Sequence, residues 1–350
     1  MKINRTVFLE SLEKVMPAVG VNVLVPEYQC IKIDGKRIQA TNGVMLIDCA
    51  CAQDTGVTCG IPADPFISLL RSLRDDEIEL ECTDTCLRVR TNKLKGSFSV
   101  LKDVKFLETP HPEESRIIIS SNQLSELIEG LVSCSPFVSK DETAGPVCGV
   151  YLTGDMLFSS DRYRIAMYTL DKEVLAYDCS FPVKLIELLA RNKDTISEIY
   201  CSSNKEFTFL LKDGTCISSL LFVGEYPDLH QYLPDSSSSE FREIVLGEGT
   251  REILERHISF LKEVNSLDKE IEISVKGETG KCSISSVNSK FGQLTEEVDL
   301  AQPCSETTFL VDPLFLREVL DKKCSLKYFL EENIILIEKG SFQLLVQTRQ

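Results

Sequence analysis

At 350 residues the chain is too long for one simple core and falls in the range of two or three domains. Its composition, 43% apolar and 26% charged, is that of a globular protein, and no run of about 18 apolar residues marks a membrane span. The net charge of −16 excludes tight binding of nucleic acid by charge alone, because such binding draws on phosphate neutralisation; a duplex would have to be held topologically or by a locally basic face.

The start, Met1-Lys-Ile-Asn4, carries no apolar signal segment, and the fourteen cysteines form no paired framework, so reduced thiols and a cytoplasmic location are expected. With no paired CxxC motifs and His only at 111, 230 and 257, neither a metal site nor a cofactor is expected. Apolar residues at i, i+3, i+4 and i+7 predict helices beginning near Thr6, Ala63, Ser121, Pro182, Thr250 and Asp312, a recurrence of 57 to 68 residues. Between them, alternating or short apolar runs predict strands, among them 28–33, 77–81, 86–90, 97–101, 150–152, 206–211, 271–275 and 342–346. The repeating unit is one short helix with several antiparallel strands. Linker chemistry at 109–115 (TPHPEES) and 234–240 (PDSSSSE) groups six units into three domains, 1–111, 112–235 and 236–350. A strand, polar turn and strand recur once in each third, at 38–46, 157–166 and 282–291. The second domain closes on 222–234 (FVGEYPDLHQYLP), where Gly224 permits positive φ and Pro227 stiffens the exit from a strand.

Two of these segments carry a family resemblance. Phe158-Ser-Ser-Asp-Arg-Tyr-Arg-Ile-Ala166 is similar to the strand-turn segment of bacterial sliding clamps, the beta subunits of DNA polymerase III, usually Ala-Thr-Asp-Gly-His-Arg-Leu-Ala. Residues 222–234 resemble the same family's Gly-x-aromatic-Pro-Asp closure with its following Leu-Pro. The chain departs from the pattern at Arg162, where the family has Gly, and at its divergent end, Val346-Gln-Thr-Arg-Gln350, departures that suit a divergent or viral replisome. The resemblance implies an α+β fold of three tandem clamp domains, each with two helices on antiparallel sheets. It further implies that two chains join head to tail as a homodimeric ring around duplex DNA and tether the polymerase catalytic subunit, with a clamp loader as a further partner. Such a subunit is not an enzyme.

The charge distribution fits that implication. The six helical windows together carry +1, against −16 for the whole chain, which leaves a near-neutral inner wall on an acidic body. Arg71, Arg74, Lys184, Arg191, Lys193, Arg251, Arg256, Lys322 and Lys323 are the candidate phosphate contacts, and a solvated helix face is the competing reading of each. By match to the family, the partner-peptide site draws on Leu152, Ser160, Arg162, Tyr163, Arg164, Ile165, Pro227, Tyr232, Leu314 and Val346; the competing reading is that Leu152, Ile165 and Leu314 are core. Arg162 is expected to favour an acidic residue in the peptide. The dimer contact is assigned to Phe98, Val100, Phe260, Leu261 and Val264. Two alternatives stand beside the replicative clamp: a clamp-fold scaffold for another process such as transcription, and a nucleic-acid-processing enzyme. The second lacks a phosphate loop, HExxH or GxSxG, and its only candidate metal carboxylates, Asp75, Asp76 and Asp161, lie in turns.

Overall fold

A computed structural model describes residues 1–21, 24–101, 105–108, 115–175, 177–202, 206–234, 240–264, 269–276, 280–317 and 324–349. In chain order the first elements are β1 (Lys2–Asn4), α1 (Arg5–Val15), β2 (Cys30–Asp34), β3 (Arg37–Thr41), β4 (Met45–Ala50), β5 (Thr58–Pro62) and α2 (Ala63–Ser72). There follow β6 (Glu77–Cys82), β7 (Cys86–Arg90), β8 (Lys95–Ser99), β9 (Arg116–Ile117), α3 (Ser121–Cys134), β10 (Gly149–Thr153), β11 (Met156–Ser160), β12 (Arg164–Thr169) and β13 (Cys179–Pro182). Next come α4 (Val183–Asn192), β14 (Ile196–Cys201), β15 (Glu206–Leu211), β16 (Cys216–Leu220), β17 (Phe241–Leu246) and α5 (Thr250–Phe260). The chain closes with β18 (Ile271–Lys276), β19 (Lys281–Asn288), β20 (Gly292–Asp299), β21 (Thr307–Val311), α6 (Pro313–Arg317), β22 (Cys324–Phe329), β23 (Ile334–Lys339) and β24 (Phe342–Gln347). Each helix starts within a residue or two of its expected position, because the apolar spacing that marked it is what buries it. Phe8, Leu12 and Val15 of α1 and Leu185, Ile186, Leu188 and Leu189 of α4 are all buried.

The fold divides into two compact units, residues 1–128 with 184–223, and 129–183 with 224–350. The first unit holds a four-stranded sheet, β1-β6-β7-β8, and an eight-stranded sheet, β5-β2-β3-β4-β16-β15-β14-β9. The second repeats the scheme with β20-β19-β18-β21 and β13-β10-β11-β12-β24-β23-β22-β17. All named pairings are antiparallel, and each large sheet is two four-stranded halves zipped along one central pair, β4 with β16 or β12 with β24. Pro62 ends β5 directly before α2, and Pro182 ends β13 directly before α4. At α6 the Asp312 carboxylate takes the equivalent place, accepting the Leu314 N–H at 2.8 Å.

The three expected polar turns share one hydrogen-bonding device. The Asn42 side-chain oxygen accepts the N–H groups of Val44 (2.9 Å) and Met45 (2.7 Å); Asp161 accepts those of Tyr163 (3.1 Å) and Arg164 (2.8 Å); Asn288 accepts those of Lys290 (2.9 Å) and Phe291 (3.3 Å). These are Asx turns, in which a short side chain takes over backbone donors that the sheet ladder cannot reach. The thirteen described cysteine side chains are free thiols, and burial pushes Cys49, Cys59 and Cys282 up to about 12. Among the described residues, no helix is long and apolar enough to cross a membrane.

Candidate functional site

The second unit contains all ten residues assigned to a partner site, and strand alternation sorts five of them onto two faces of its large sheet. Residues opposed across antiparallel strands share a face, so the pairings Arg164 to Val346 and Leu152 to Leu157 put Leu152, Arg164 and Val346 on one side. Ser160 and Ile165, opposed to each other, lie on the other. Leu152 and Val346 are fully buried, so they support the site from within and offer no surface in this structure. Ile165 and Leu314 are half-buried, while Pro227, Tyr163 (48% exposed) and Tyr232 (54% exposed) face solvent.

On the second face, the closing segment covers an apolar cluster of Phe158, Met167, Phe329, Leu336 and Leu345 with Leu229, Tyr226 and Leu233, and Ile165 packs at its margin. Tyr226 stacks on Tyr151 with ring centroids 4.4 Å apart, and His230 meets Phe158 edge-on at 5.0 Å. The sharp exit to this segment requires glycine: Gly224 has φ 137°, and a Cβ there would lie 3.0 Å from the Pro146 ring.

On the first face, Arg164 is the centre. Its guanidinium lies 4.8 Å from the Phe137 ring centroid and 4.7 Å from that of Phe315, between the end of α3 and α6. Its Nε and Nη2 donate to one Asp161 carboxylate oxygen at 2.9 and 2.7 Å. A buried guanidinium needs such a partner, because removing its charge from water costs several kcal/mol. Burial pushes the nearby Asp312 carboxyl above its ordinary value, against the opposing pull of the Leu314 N–H and of Arg164. Tyr163 stacks on the outer side of Phe315 at 5.8 Å, extending the aromatic layer to the surface. Beside it Arg162 sits at φ 80°, its side chain 73% exposed and 3.2 Å from the Asp141 carboxylate. Hydrogen bonds from Thr143 hold that carboxyl below its ordinary value. Phe137, Asp141, Asp161, Asp312 and Phe315 were not assigned to this site from sequence. Asp161 was legible as a turn residue; the others are brought in only by the fold.

The candidate DNA contacts fall into two groups. Arg71 is bound to Glu13 (2.8 Å), Arg191 lies 3.9 Å from Glu187, and Arg256 grips Glu296 through two nitrogens. Arg74, Lys184, Lys193 and Arg251 are exposed and have no partner among the described residues. Lys322 and Lys323 lie outside the described residues. In the first unit, Arg191 shares a groove of about 380 Å³ with Lys14 and Lys212, two cations the helical windows did not single out for DNA.

Of the assigned dimer residues, Phe98 is half-buried on β8, an edge strand, and meets Phe66 edge-on at 5.3 Å. Strand β8 runs two residues earlier than the expected 97–101, so Val100 lies just past its end, its N–H bonded to the Thr85 carbonyl at 3.3 Å. Phe260 and Val264 are half-buried at the end of α5, and Leu261 is wholly buried in its own unit. The Leu261 N–H continues the helical bonding to His257, and that last turn directs its side chain inward.

No protein-family model matches the chain. The beta sliding clamp of Rickettsia felis is 28% identical over 257 residues, which span 66% of this chain and 65% of that protein. The chain therefore aligns with a little under two thirds of that relative's length. The DNA polymerase III beta chain of Streptococcus pneumoniae superimposes with a TM-score of 0.82 at 17% identity, covering 100% of this chain and 99% of that one. The DNA polymerase sliding clamp of Bacillus subtilis gives 0.80 at 20% identity, covering 100% and 98%. A clamp from Bartonella birtlesii bound to griselimycin gives 0.81 at 16% identity. Over its full length, then, the chain has the sliding-clamp fold. In sequence it is similar to the beta sliding clamp of Rickettsia felis over about two thirds of its length.

Proposed function

We propose that this chain is a replicative sliding clamp, a non-catalytic cytoplasmic processivity factor that encircles duplex DNA and tethers a DNA polymerase. The observation that carries the reading is the clamp fold over the whole chain together with the homologous Rickettsia felis sequence. Three domains, 1–111, 112–235 and 236–350, are assigned to each chain, and two chains close the ring. The edge strand β8, with Phe98, Lys95 and the adjacent Lys93, is the surface offered to a second copy; the edge strand β20, with exposed Glu297 and Asp299, supplies charge of the opposite sign. Phe260 and Val264 contribute the apolar part, with Leu261 packed beneath them.

In this reading the unpartnered Arg74, Lys184, Lys193 and Arg251 are loose phosphate contacts. A near-neutral helical lining retains the duplex without gripping it, since few counterions are released. The polymerase and the loader dock through short peptides on the surface around Tyr163, Ile165, Pro227, Tyr232 and Leu314, with apolar anchors supplying the affinity and Arg164 fixing the aromatic layer. Sedimentation equilibrium at micromolar concentration tests the assembly: a species of twice the 39.3 kDa chain mass is expected, and a strict monomer refutes the ring.

A further inference from the structure

We propose that Cys59 and Cys82 are a peroxide-responsive thiol pair: Cys82 is oxidised first, and Cys59 resolves it into a disulfide that fastens together the two sheets of the first unit. The strands bring the pair into position. Cys82 ends β6 on the inward face that it shares with buried Ile78 and Leu80. Strand β5 is the end strand of the large sheet, and Gly60 uses its outer edge to exchange backbone hydrogen bonds with Leu101, at 2.8 and 3.3 Å. The Thr58 carbonyl points to the same edge, and the Cys82 sulfur lies 3.9 Å from its oxygen. Cys59 follows Thr58 directly and is buried, with its thiol against that of Cys82.

Exposure divides the roles. Among the described cysteines, only Cys82, Cys86 and Cys148 are less than fully buried. Cys86 turns to the other face of its hairpin, because Cys82 opposes Leu87, and it meets the Thr83 hydroxyl at 3.3 Å. Cys148 meets the Asp141 carbonyl at 3.0 Å. Cys82 combines access with a thiol neighbour. Two other neighbouring pairs, Cys49 with Cys51 and Cys282 with Cys304, are buried on both sides, which denies an oxidant entry. Burial pushes the Cys59 thiol up to about 12, and the adjacent Cys82 thiol adds to that shift. Cys59 therefore stays protonated and inert to peroxide until its neighbour has reacted.

The chemistry balances with hydrogen peroxide as oxidant. The Cys82 thiol gives up its proton and its sulfur attacks one peroxide oxygen; the O–O bond breaks, the departing hydroxide collects that proton as water, and a sulfenic acid remains. The Cys59 sulfur then attacks the Cys82 sulfur. The S–S bond forms, the S–O bond breaks, and the hydroxyl leaves with the Cys59 proton as a second water. Two thiols lose two electrons and one peroxide gains them. The new bond closes residues 59–82, with α2 among them, into a loop, and such a cross-link restricts the unfolded chain.

Hydrogen peroxide added to the folded full chain tests the pair, with remaining thiols alkylated in denaturant before intact mass and peptide mapping. Wild type should lose two hydrogen atoms and give a cross-linked peptide joining Cys59 to Cys82, reversed by dithiothreitol. The cross-linked form should melt above the reduced one. Cys82→Ser, at a position outside the fully buried core, should abolish the link, and Cys59→Ser should leave a Cys82 sulfenic acid that dimedone traps. Any of four results overturns the proposal: both thiols still alkylatable after peroxide, Cys82 carried to sulfinic acid beside an unreacted Cys59, Cys82 linked to another cysteine, or a cross-linked form that melts below the reduced one.

Discussion

The turns at Asn42 and Asp161 are built on the same pair of side-chain to backbone hydrogen bonds, yet one carries Gly43 and the other Arg162 at the strained position. At Asn42 the glycine is required twice, by φ 88° and by Tyr28, whose hydroxyl oxygen lies 2.7 Å from where a Cβ would stand. The Asp161 turn has an exposed arginine there, and its carboxylate also anchors the buried Arg164. The first turn relieves the positive φ with glycine; the second carries an arginine there and holds one guanidinium exposed, that of Arg162, and one buried, that of Arg164.

Variants at these turns should separate the two designs. The largest effect is expected from Asp161→Ala, which removes the turn acceptor and strands the Arg164 charge between two rings: a loss of about 3–5 kcal/mol in urea unfolding, as for other broken buried pairs. Gly43→Ala comes next, at about 2–3 kcal/mol, because the new Cβ meets both the backbone penalty and the Tyr28 ring. The third Asx turn, at Asn288, differs in being tied to pH through its neighbour Ser286, whose hydroxyl lies 2.7 Å from Nδ1 of fully buried His257. Burial lowers the His257 pKa, Glu296 opposes that shift, and Arg256 adds to it. A group with a depressed folded pKa takes up its proton more readily when unfolded, so its stabilisation is complete above about pH 6.5 and is lost as pH falls below that value. Melting in a pH series from 8 to 5 should show this decline in wild type and a flatter profile in His257→Gln. The smallest effect has the opposite sign: Arg162→Gly should gain about 1 kcal/mol by relieving the left-handed strain, less the small contribution of the Asp141 pair.

What could be read in the sequence, and what could not, follows the range of the interactions involved. The six helix starts were legible because apolar spacing and the strand-ending prolines at 62 and 182 are local signals. The Asp161 turn was legible as a turn for the same reason. Its ionic role was not: Arg164 is held between Phe137 and Phe315, rings separated by more than half the chain in sequence and brought together only by the fold. The β12 to β24 pairing also decides which site residues are buried. Leu152 and Val346 fall on the same face as Arg164, a consequence of register that alternation within a single strand does not show. The shift of β8 by two residues, which leaves Val100 outside the strand, is the ordinary uncertainty of a strand end set by its neighbour.

The central claim is that the chain encircles DNA. It is tested most directly by loading labelled protein onto a nicked circular duplex with the loader fraction that copurifies, then washing at high salt and cutting the circle. A topological clamp stays on the closed circle through the wash and leaves within minutes of linearisation, while binding short linear duplex only weakly. Release by salt from the intact circle, or retention after the cut, would contradict the account, since either result requires a phosphate-gripping surface in place of a ring.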